Sequence, residues 1–185
     1  GNHPESNMSQ TSRPRTHAQR EQILRTLASF LASSAAGPTV VELHGRFLAE
    51  VTTAYTSARA AHQSATGAWQ AASVAAEAAA EALDAALRRL MLAFRDDQGR
   101  VDPALNASLL GGYQTHELIA LRHDAEVTAA RAFLGRLSAR TDLSPNPDRL
   151  IAFQAATDAL ESAATAASLA LGVRLAAGTA SETAT

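Results

Sequence analysis

The sequence is organised around one long apolar stripe within residues 40–97. Small or apolar residues recur there every three or four positions, with a mean spacing of about 3.6. This spacing predicts a single, nearly straight α-helix, because a supercoiled helix keeps a repeat of 3.5. The stripe consists of Phe47, Val51, Ala54, Ala58, Ala61, Ala65, Trp69, Ala72, Ala76, Ala79, Leu83, Leu87, Leu90 and Phe94.

Two glycines, Gly45 and Gly67, lie inside this predicted helix. Each costs about 1 kcal/mol relative to alanine. Because the stripe keeps its phase across both, we expect the helix to continue through Gly67. A helix of about 58 residues would be about 87 Å long, so the sequence predicts an elongated molecule.

The composition favours an all-α protein. Alanine supplies 44 of the 185 residues, and only eight residues are aromatic. Alanine is the strongest helix former, whereas strands favour β-branched and aromatic residues. We therefore predict an antiparallel bundle of four main helices, one of them very long, in a single domain spanning residues 16–177.

Capping patterns mark the first two helices. Thr16 with Gln19 forms a capping box before the first helix, which we expect to end at Gly37. Thr39 with Glu42 repeats the pattern before the long helix. The short connection predicts that these two helices are antiparallel neighbours.

Proline and glycine residues also mark the helix boundaries in the second half of the chain. Asp102 followed by proline predicts a short helix over residues 103–110, and Gly111 and Gly112 either kink it or separate it from a third main helix over 113–140. Asn146 followed by proline opens the fourth, which is expected to end at Gly178. Residues 1–15 are predicted to be a flexible arm, with 1–7 a cloning scar, and 178–185 a flexible tail.

The overall chemistry excludes several classes. The chain has no cysteine, which excludes disulfides and thiolate metal sites and favours a cytoplasmic setting. The net charge of −2 gives no global attraction to nucleic acid. All 16 basic residues are arginine, which we interpret first as the codon bias of a high-GC bacterial genome. No apolar run approaches the roughly 18 residues of a membrane span, so no transmembrane segment is predicted.

Enzyme chemistry finds no support, and no cofactor is predicted. The sequence has no glycine-rich phosphate loop, no G-x-S-x-G and no H-E-x-x-H. Trp69 is expected to be a buried core anchor, and Leu83 is expected to be buried in the seam.

Histidines and carboxylates raise the question of a metal. If the third helix folds back along the long helix, His123 lies opposite Glu77 and His116 lies opposite Asp84. Glu81 and Glu126 then lie nearby. Bundles hold di-metal centres with such side chains, but the paired Glu-x-x-His motifs are absent here. We therefore expect structural or exposed roles for these residues, as for His44 and His62, and no metal site.

Arginines cluster near the amino terminus. Arg13, Arg15, Arg20 and Arg25 stand against Glu21 alone, and arginine pairs well with phosphate and carboxylate. This cluster could contact nucleic acid or an acidic partner, or it could be a solvated arm. No interleaved aromatic residue or helix-turn-helix pattern supports base reading. Arg131, Arg136 and Arg140 form a second, weaker cluster.

Helix lengths predict an interface. The third and fourth helices are too short to cover the long helix, so its first part meets only the first helix. Phe30, Leu31, Phe47, Leu48 and Val51 would then leave an apolar patch typical of an interface. We predict that a second copy or another protein docks there.

The predicted function is therefore a non-enzymatic helical scaffold, adaptor or assembly subunit. Two alternatives stay open: a small helical subunit of a nucleic-acid complex, or an amphipathic coat protein on a lipid or granule surface.

Overall fold

The computed structural model describes residues 16–33 and 37–183, and helices dominate both ranges. Within them the only β pairing is an isolated bridge between Arg95 and Val101. The predicted all-α class is confirmed. The α-helices over these residues are α1 (His17–Ala32), α2 (Pro38–Met91), α3 (Pro103–Leu110), α4 (Thr115–Leu118), α5 (His123–Ser138) and α6 (Pro147–Thr183).

The described residues fall into two compact units. Unit 1 contains residues 16–33, 37–59 and 180–183, and unit 2 contains residues 60–179. Helices α2 and α6 each contribute residues to both units. The expectation of a single domain over 16–177 stays a prediction.

Helix α2 is the very long helix that the stripe predicted, with 54 residues and no interruption at Gly67. It begins at Pro38, so Thr39 lies inside its first turn. The predicted capping box of Thr39 and Glu42 is therefore wrong, because the proline with its preset φ already opens the helix.

The end of α2 differs from the prediction. The helix ends at Met91, a 3-10 turn follows over Leu92–Phe94, and a tight turn occupies the next residues. The side-chain Oδ1 of Asp96 accepts hydrogen bonds from the backbone N–H groups of Gln98 and Arg100, at 2.9 and 2.8 Å. Such an aspartate offers the backbone an alternative to helix, which ends α2 before Asp97.

Three predicted helix starts are confirmed. Thr16 and Gln19 form the reciprocal capping box, Asp102 accepts from the Leu105 N–H at 3.0 Å, and Asn146 accepts from the Arg149 N–H at 3.1 Å. Helix α1 nevertheless ends at Ala32, before the predicted Gly37, because Ser33 is already extended.

The third main helix is not continuous, and its prediction over 113–140 is wrong. Gly111 and Gly112 have φ of 65° and 92° and separate α3 from α4. Glycine suits position 111 because other residues rarely adopt a φ of 65°, and the flexible Arg136 guanidinium lies within 2.6 Å of where a Cβ would be. A second break follows α4, which turns Leu118 into the core, and α5 then starts afresh after the extended Arg122.

Helix α6 does not stop at Gly178. It continues to Thr183, so the prediction of a flexible tail from residue 178 is wrong for residues 178–183. Ser181 is 1% exposed, and its carbonyl accepts a hydrogen bond from Arg20 at 3.3 Å. These contacts offset the cost of a glycine inside a helix.

The core of unit 2 is built by α2, α3, α4, α5 and α6. Phe133 of α5 and Phe153 of α6 pack edge to face at 5.3 Å, above Leu83 of α2, which is 1% exposed as predicted. The other fully or nearly buried members are Leu87, Leu90, Met91, Leu109, Leu110, Leu118, Val127, Ala130, Leu137 and Leu160.

Contacts along unit 2 fix the helix directions. Arg149 near the start of α6 donates to the Arg89 carbonyl, while Arg174 lies farther along α6 against Trp69. Helix α6 is therefore antiparallel to α2. Arg131 of α5 contacts Asp158 of α6, and the Phe133–Phe153 pair gives the same antiparallel direction. Because α6 is antiparallel to both helices, α5 runs parallel to α2, which corrects the expected fold-back of the third helix.

Trp69 is half-buried rather than buried as predicted. The guanidinium carbon of Arg174 lies 4.5 Å from its ring centroid, in a cation–π contact. The small alanines around Trp69 leave room for this side chain to reach the ring.

Candidate functional site

Helix α1 and the first part of α2 form an apolar groove of about 360 Å³. All five apolar residues predicted to bind a partner line it, so the structure brings them together. That they bind a partner stays a prediction. The lining residues are Leu24, Leu27, Phe30, Leu31, Val40, His44, Phe47, Leu48 and Val51.

The α1–α2 groove is strongly exposed. Phe47 is 65% and Phe30 50% exposed, and none of the sixteen residues of α1 is buried within the described chain. In the described part of unit 1 the buried residues are Tyr55 and Ser181 alone. Unit 1 thus presents apolar surface that its own described residues do not cover.

Tyr55 holds the two helices together at one end of unit 1. It is 2% exposed, and its hydroxyl lies 2.8 Å from the Nδ1 of His17. Close by, Arg59 forms an ion pair with Glu21. Tyr55 could not be predicted as a contact, because the apolar stripe passes through Ala54 and Ala58 and no local pattern includes Tyr55.

The amino-terminal arginine cluster is not seen as a whole. Arg13 and Arg15 lie outside the described residues. Arg20 donates to the Ser181 carbonyl, and Arg25 lies 3.4 Å from the Glu21 carboxylate. The two described arginines therefore have intramolecular partners.

The second arginine cluster is also engaged. Arg131 binds two carboxylates of α6, those of Asp158 at 2.6 Å and Glu161 at 2.5 Å. Arg136 donates to a backbone carbonyl of α3 at 3.3 Å, and Arg140 donates to Asp142 at 2.7 Å. These contacts support a structural use of all three arginines.

Unit 2 contains an acidic cleft of about 610 Å³, formed by α2, the segment between α4 and α5, the start of α5 and α6. Its carboxylates are Glu77, Glu81, Asp84, Asp124 and Glu126, and its apolar walls include Ala80, Ile119, Ala164 and Ala167.

The predicted neighbours of the cleft are partly right. His123 does meet Glu77, with Nε2 3.6 Å from Oε1. The placement of His116 opposite Asp84 is wrong, because α5 runs parallel to α2, so the residues that follow His123, and not those that precede it, lie toward Asp84. Glu126, not His116, is the residue that lines the cleft together with Asp84.

Glu126 lies at the floor of the acidic cleft. It is 1% exposed, and neither of its carboxylate oxygens accepts a hydrogen bond from the described residues. Burial, and then the neighbouring Asp84, raises the pKa of Glu126 to about 7. Burial also raises the pKa of Asp84, whose Oδ1 is buried beside the Glu126 carboxyl. A protonated Glu126 can share its proton with Asp84.

Metal ligation is not evident from this arrangement. Across residues 16–33 and 37–183 no group of three or more His, Asp or Glu side chains is placed to hold a metal ion. The expectation that the protein binds no metal stays a prediction, as does the absence of a cofactor.

The second half of α6 also exposes large apolar side chains. Leu169 is 68%, Val173 62% and Leu175 60% exposed. By length and composition α6 could cross a membrane, and the most apolar stretch of this helix has no buried residue. The packed helix of a soluble protein can have the same length and composition.

Comparisons with known proteins add no relative. The sequence matches no protein-family model, no curated protein matches it, and no solved structure matches its fold.

Proposed function

We propose that the protein is a non-enzymatic helical assembly subunit, and that a second copy of the chain docks in its α1–α2 groove. The observation that supports this is the exposure of Phe30 and Phe47 in a unit with almost no buried residues. An isolated helical hairpin gains too little from helix propensity to hold itself together. A second copy of the chain that covers the groove would therefore stabilise the α1–α2 hairpin.

The size of the exposed surface suits an association of moderate strength. Burying a large apolar side chain completely stabilises by about 1.5–3 kcal/mol. Leu27, Phe30 and Phe47 are about half exposed or more, so each still has a large part of that gain available. Since association itself costs roughly 4–15 kcal/mol, we expect a dimer that dissociates at micromolar concentration.

The charges near the groove favour a second copy over a strongly charged partner. Residues 16–33 and 37–59 contain four arginines and three glutamates, so neither sign dominates. Exposed pairs such as Glu42 and Arg46, 3.6 Å apart, are already balanced within the helix. A nearly neutral apolar face is self-complementary, as a twofold interface requires. Two α1–α2 hairpins packed face to face would make a four-helix bundle.

The first prediction is that the protein is dimeric and that Phe47→Glu makes it monomeric. A buried, unpaired carboxylate in the groove would oppose association, while an exposed Phe47 contributes little to the fold of one chain. Light scattering between about 1 and 100 µM measures the mass, with dilution dissociating the wild-type dimer over this range. Leu169→Glu is the matched control, since Leu169 is as exposed but lies on α6 in unit 2.

A monomeric wild type at about 100 µM would refute this proposal. So would a Phe47→Glu variant that keeps the wild-type mass at every concentration. A Leu169→Glu variant that dissociates in place of Phe47→Glu would move the interface to α6.

A coat function on a lipid or granule surface is the second candidate. The observation that favours it is the pair Leu169 and Val173, which are 68% and 62% exposed and lie four residues apart on one face of α6, since apolar side chains on one surface can enter a membrane interface. The second prediction is that Leu169→Glu reduces flotation with phosphatidylcholine vesicles while Phe47→Glu does not. Equal flotation of both variants, or no flotation of the wild type, would contradict the lipid function.

A further inference from the structure

We propose that the acidic cleft of unit 2 binds a linear aliphatic polyamine, with its ammonium groups on Glu77, Glu81 and Asp84 and its methylenes over Ala80 and Ile119. This binding site is independent of the groove and of the proposed assembly function.

The charges of the cleft are unbalanced. Five carboxylates line it, and the cation beside them is Arg122, whose Nε lies 3.9 Å from Asp124. His123 is in contact with Glu77 and carries charge only when protonated. Arg88 acts on Asp84 from the next turn of α2. Helix α6 contributes Ala164, Ala167 and Ser168 to the wall and no titratable side chain. A concave wall of one sign concentrates counter-ions.

Glu126 is the second observation that points to a ligand. A buried carboxyl without a hydrogen-bond donor is costly, and such groups are usually paired in native proteins. Glu126 lines the cleft beside Asp84, and apart from the proton that these two carboxyls can share, neither oxygen of Glu126 has a hydrogen-bond donor among the described residues. A cation held by Asp84 and Glu81 would supply the missing counter-charge.

The shape of the cleft favours a linear amine. Glu77, Glu81 and Asp84 follow one another along one side of α2 and span about 10 Å at 1.5 Å per residue, comparable to the extended length of a triamine. The small residues Ala80, Ala164 and Ala167 leave apolar space between the carboxylates, which suits methylene groups. A volume of about 610 Å³ is within the usual range for small-molecule sites.

The third prediction is that spermidine binds the full-length protein with a stoichiometry of one. Isothermal titration calorimetry at about 150 mM salt separates this binding from nonspecific electrostatic attraction, since salt screens exposed charges. Glu81→Gln should weaken binding at least about fivefold, because an ammonium loses a charge-assisted contact. Asp97→Asn, which removes one exposed charge away from the cleft, should change the affinity less than about twofold.

Proton release supplies an independent readout. An ammonium favours the ionised form of Glu126, so binding near pH 7 should release protons. Titrations in phosphate and in Tris measure this release from the difference in apparent enthalpy. Glu126→Gln, which keeps the shape of the side chain, should lose it.

The outcomes decide the proposal. Absence of saturable spermidine binding, or equal weakening by Glu81→Gln and Asp97→Asn, would overturn it. Butylamine binding as tightly as spermidine would overturn the assignment of a polyamine, as would displacement of spermidine by equimolar Mg²⁺. A monomeric wild type leaves this result unaffected, because the cleft lies within unit 2.

Discussion

Leu83→Ala is expected to lower the free energy of unfolding by about 2 to 5 kcal/mol. Leu83 is 1% exposed and lies in the buried cluster of unit 2 that contains Phe133 and Phe153. Truncation removes buried methyl groups and leaves a cavity that two rigid aromatic rings cannot fill. The effect is large because the other members of this core are mostly leucine and phenylalanine side chains packed against one another, which shift little to fill a cavity.

Urea unfolding followed by circular dichroism measures this change. Leu169→Ala is the matched control, because Leu169 is 68% exposed and its truncation should change the free energy by less than about 0.5 kcal/mol. A loss below about 1 kcal/mol at Leu83, or equal losses at both leucines, would contradict the packing described for unit 2.

Local signals in the sequence were sufficient for much of the fold. The unbroken stripe across Gly67 predicted α2, and Thr16, Asp102 and Asn146 predicted three helix starts. These features depend on side chains within a few residues of one another, so they can be recognised from sequence alone.

The features that were predicted wrongly depend on distant contacts. The break between α4 and α5 places Leu118 in the core, and the approach of Arg136 to Gly111 joins residues 25 positions apart. The continuation of α6 to Thr183 involves a bond between Arg20 and Ser181. Periodicity carries no information about such pairs.

The two candidate sites differ in the same way. The groove could be predicted from the helix lengths, because the later helices are too short to reach the first part of α2, which then has only α1 as its neighbour. The pairing of Asp84 with Glu126 could not be predicted in this way, because it depends on the direction in which α5 runs along α2. An α5 antiparallel to α2 would bring His116 toward Asp84, as predicted, whereas the parallel helix brings Glu126 there.

Glu126 makes the stability of the protein depend on pH. The pKa of Glu126 is about 7 in the folded protein, against an ordinary value of 4.5. The folded state therefore holds this proton more tightly than the unfolded state. The free energy of unfolding is highest below pH 4.5 on this account and falls as the pH rises to 7, by about 2 to 3 kcal/mol. The raised pKa of Asp84 acts in the same direction.

Asp142 makes the stability of the protein depend on pH in the acidic range. Hydrogen bonding to Arg140 lowers the pKa of Asp142 to about 2, so the stability that Asp142 contributes is present above its unfolded pKa and is lost as the pH falls toward 2. The two pH ranges do not overlap, and a titration of stability can separate them.

Glu126→Gln should remove most of the decline between pH 4.5 and 7 and should raise the free energy of unfolding at pH 8 by about 2 kcal/mol. The amide is neutral at every pH, and its NH₂ group can donate to Asp84, which replaces a buried charge with a hydrogen bond. Urea unfolding at pH 5 and pH 8, at one fixed protein concentration, measures both quantities. The exposed Asp97→Asn should keep the wild-type slope. A Glu126→Gln variant that declines as steeply as wild type would show that Glu126 is ionised and hydrated in the folded protein, and that its burial at the floor of the cleft is not retained in solution.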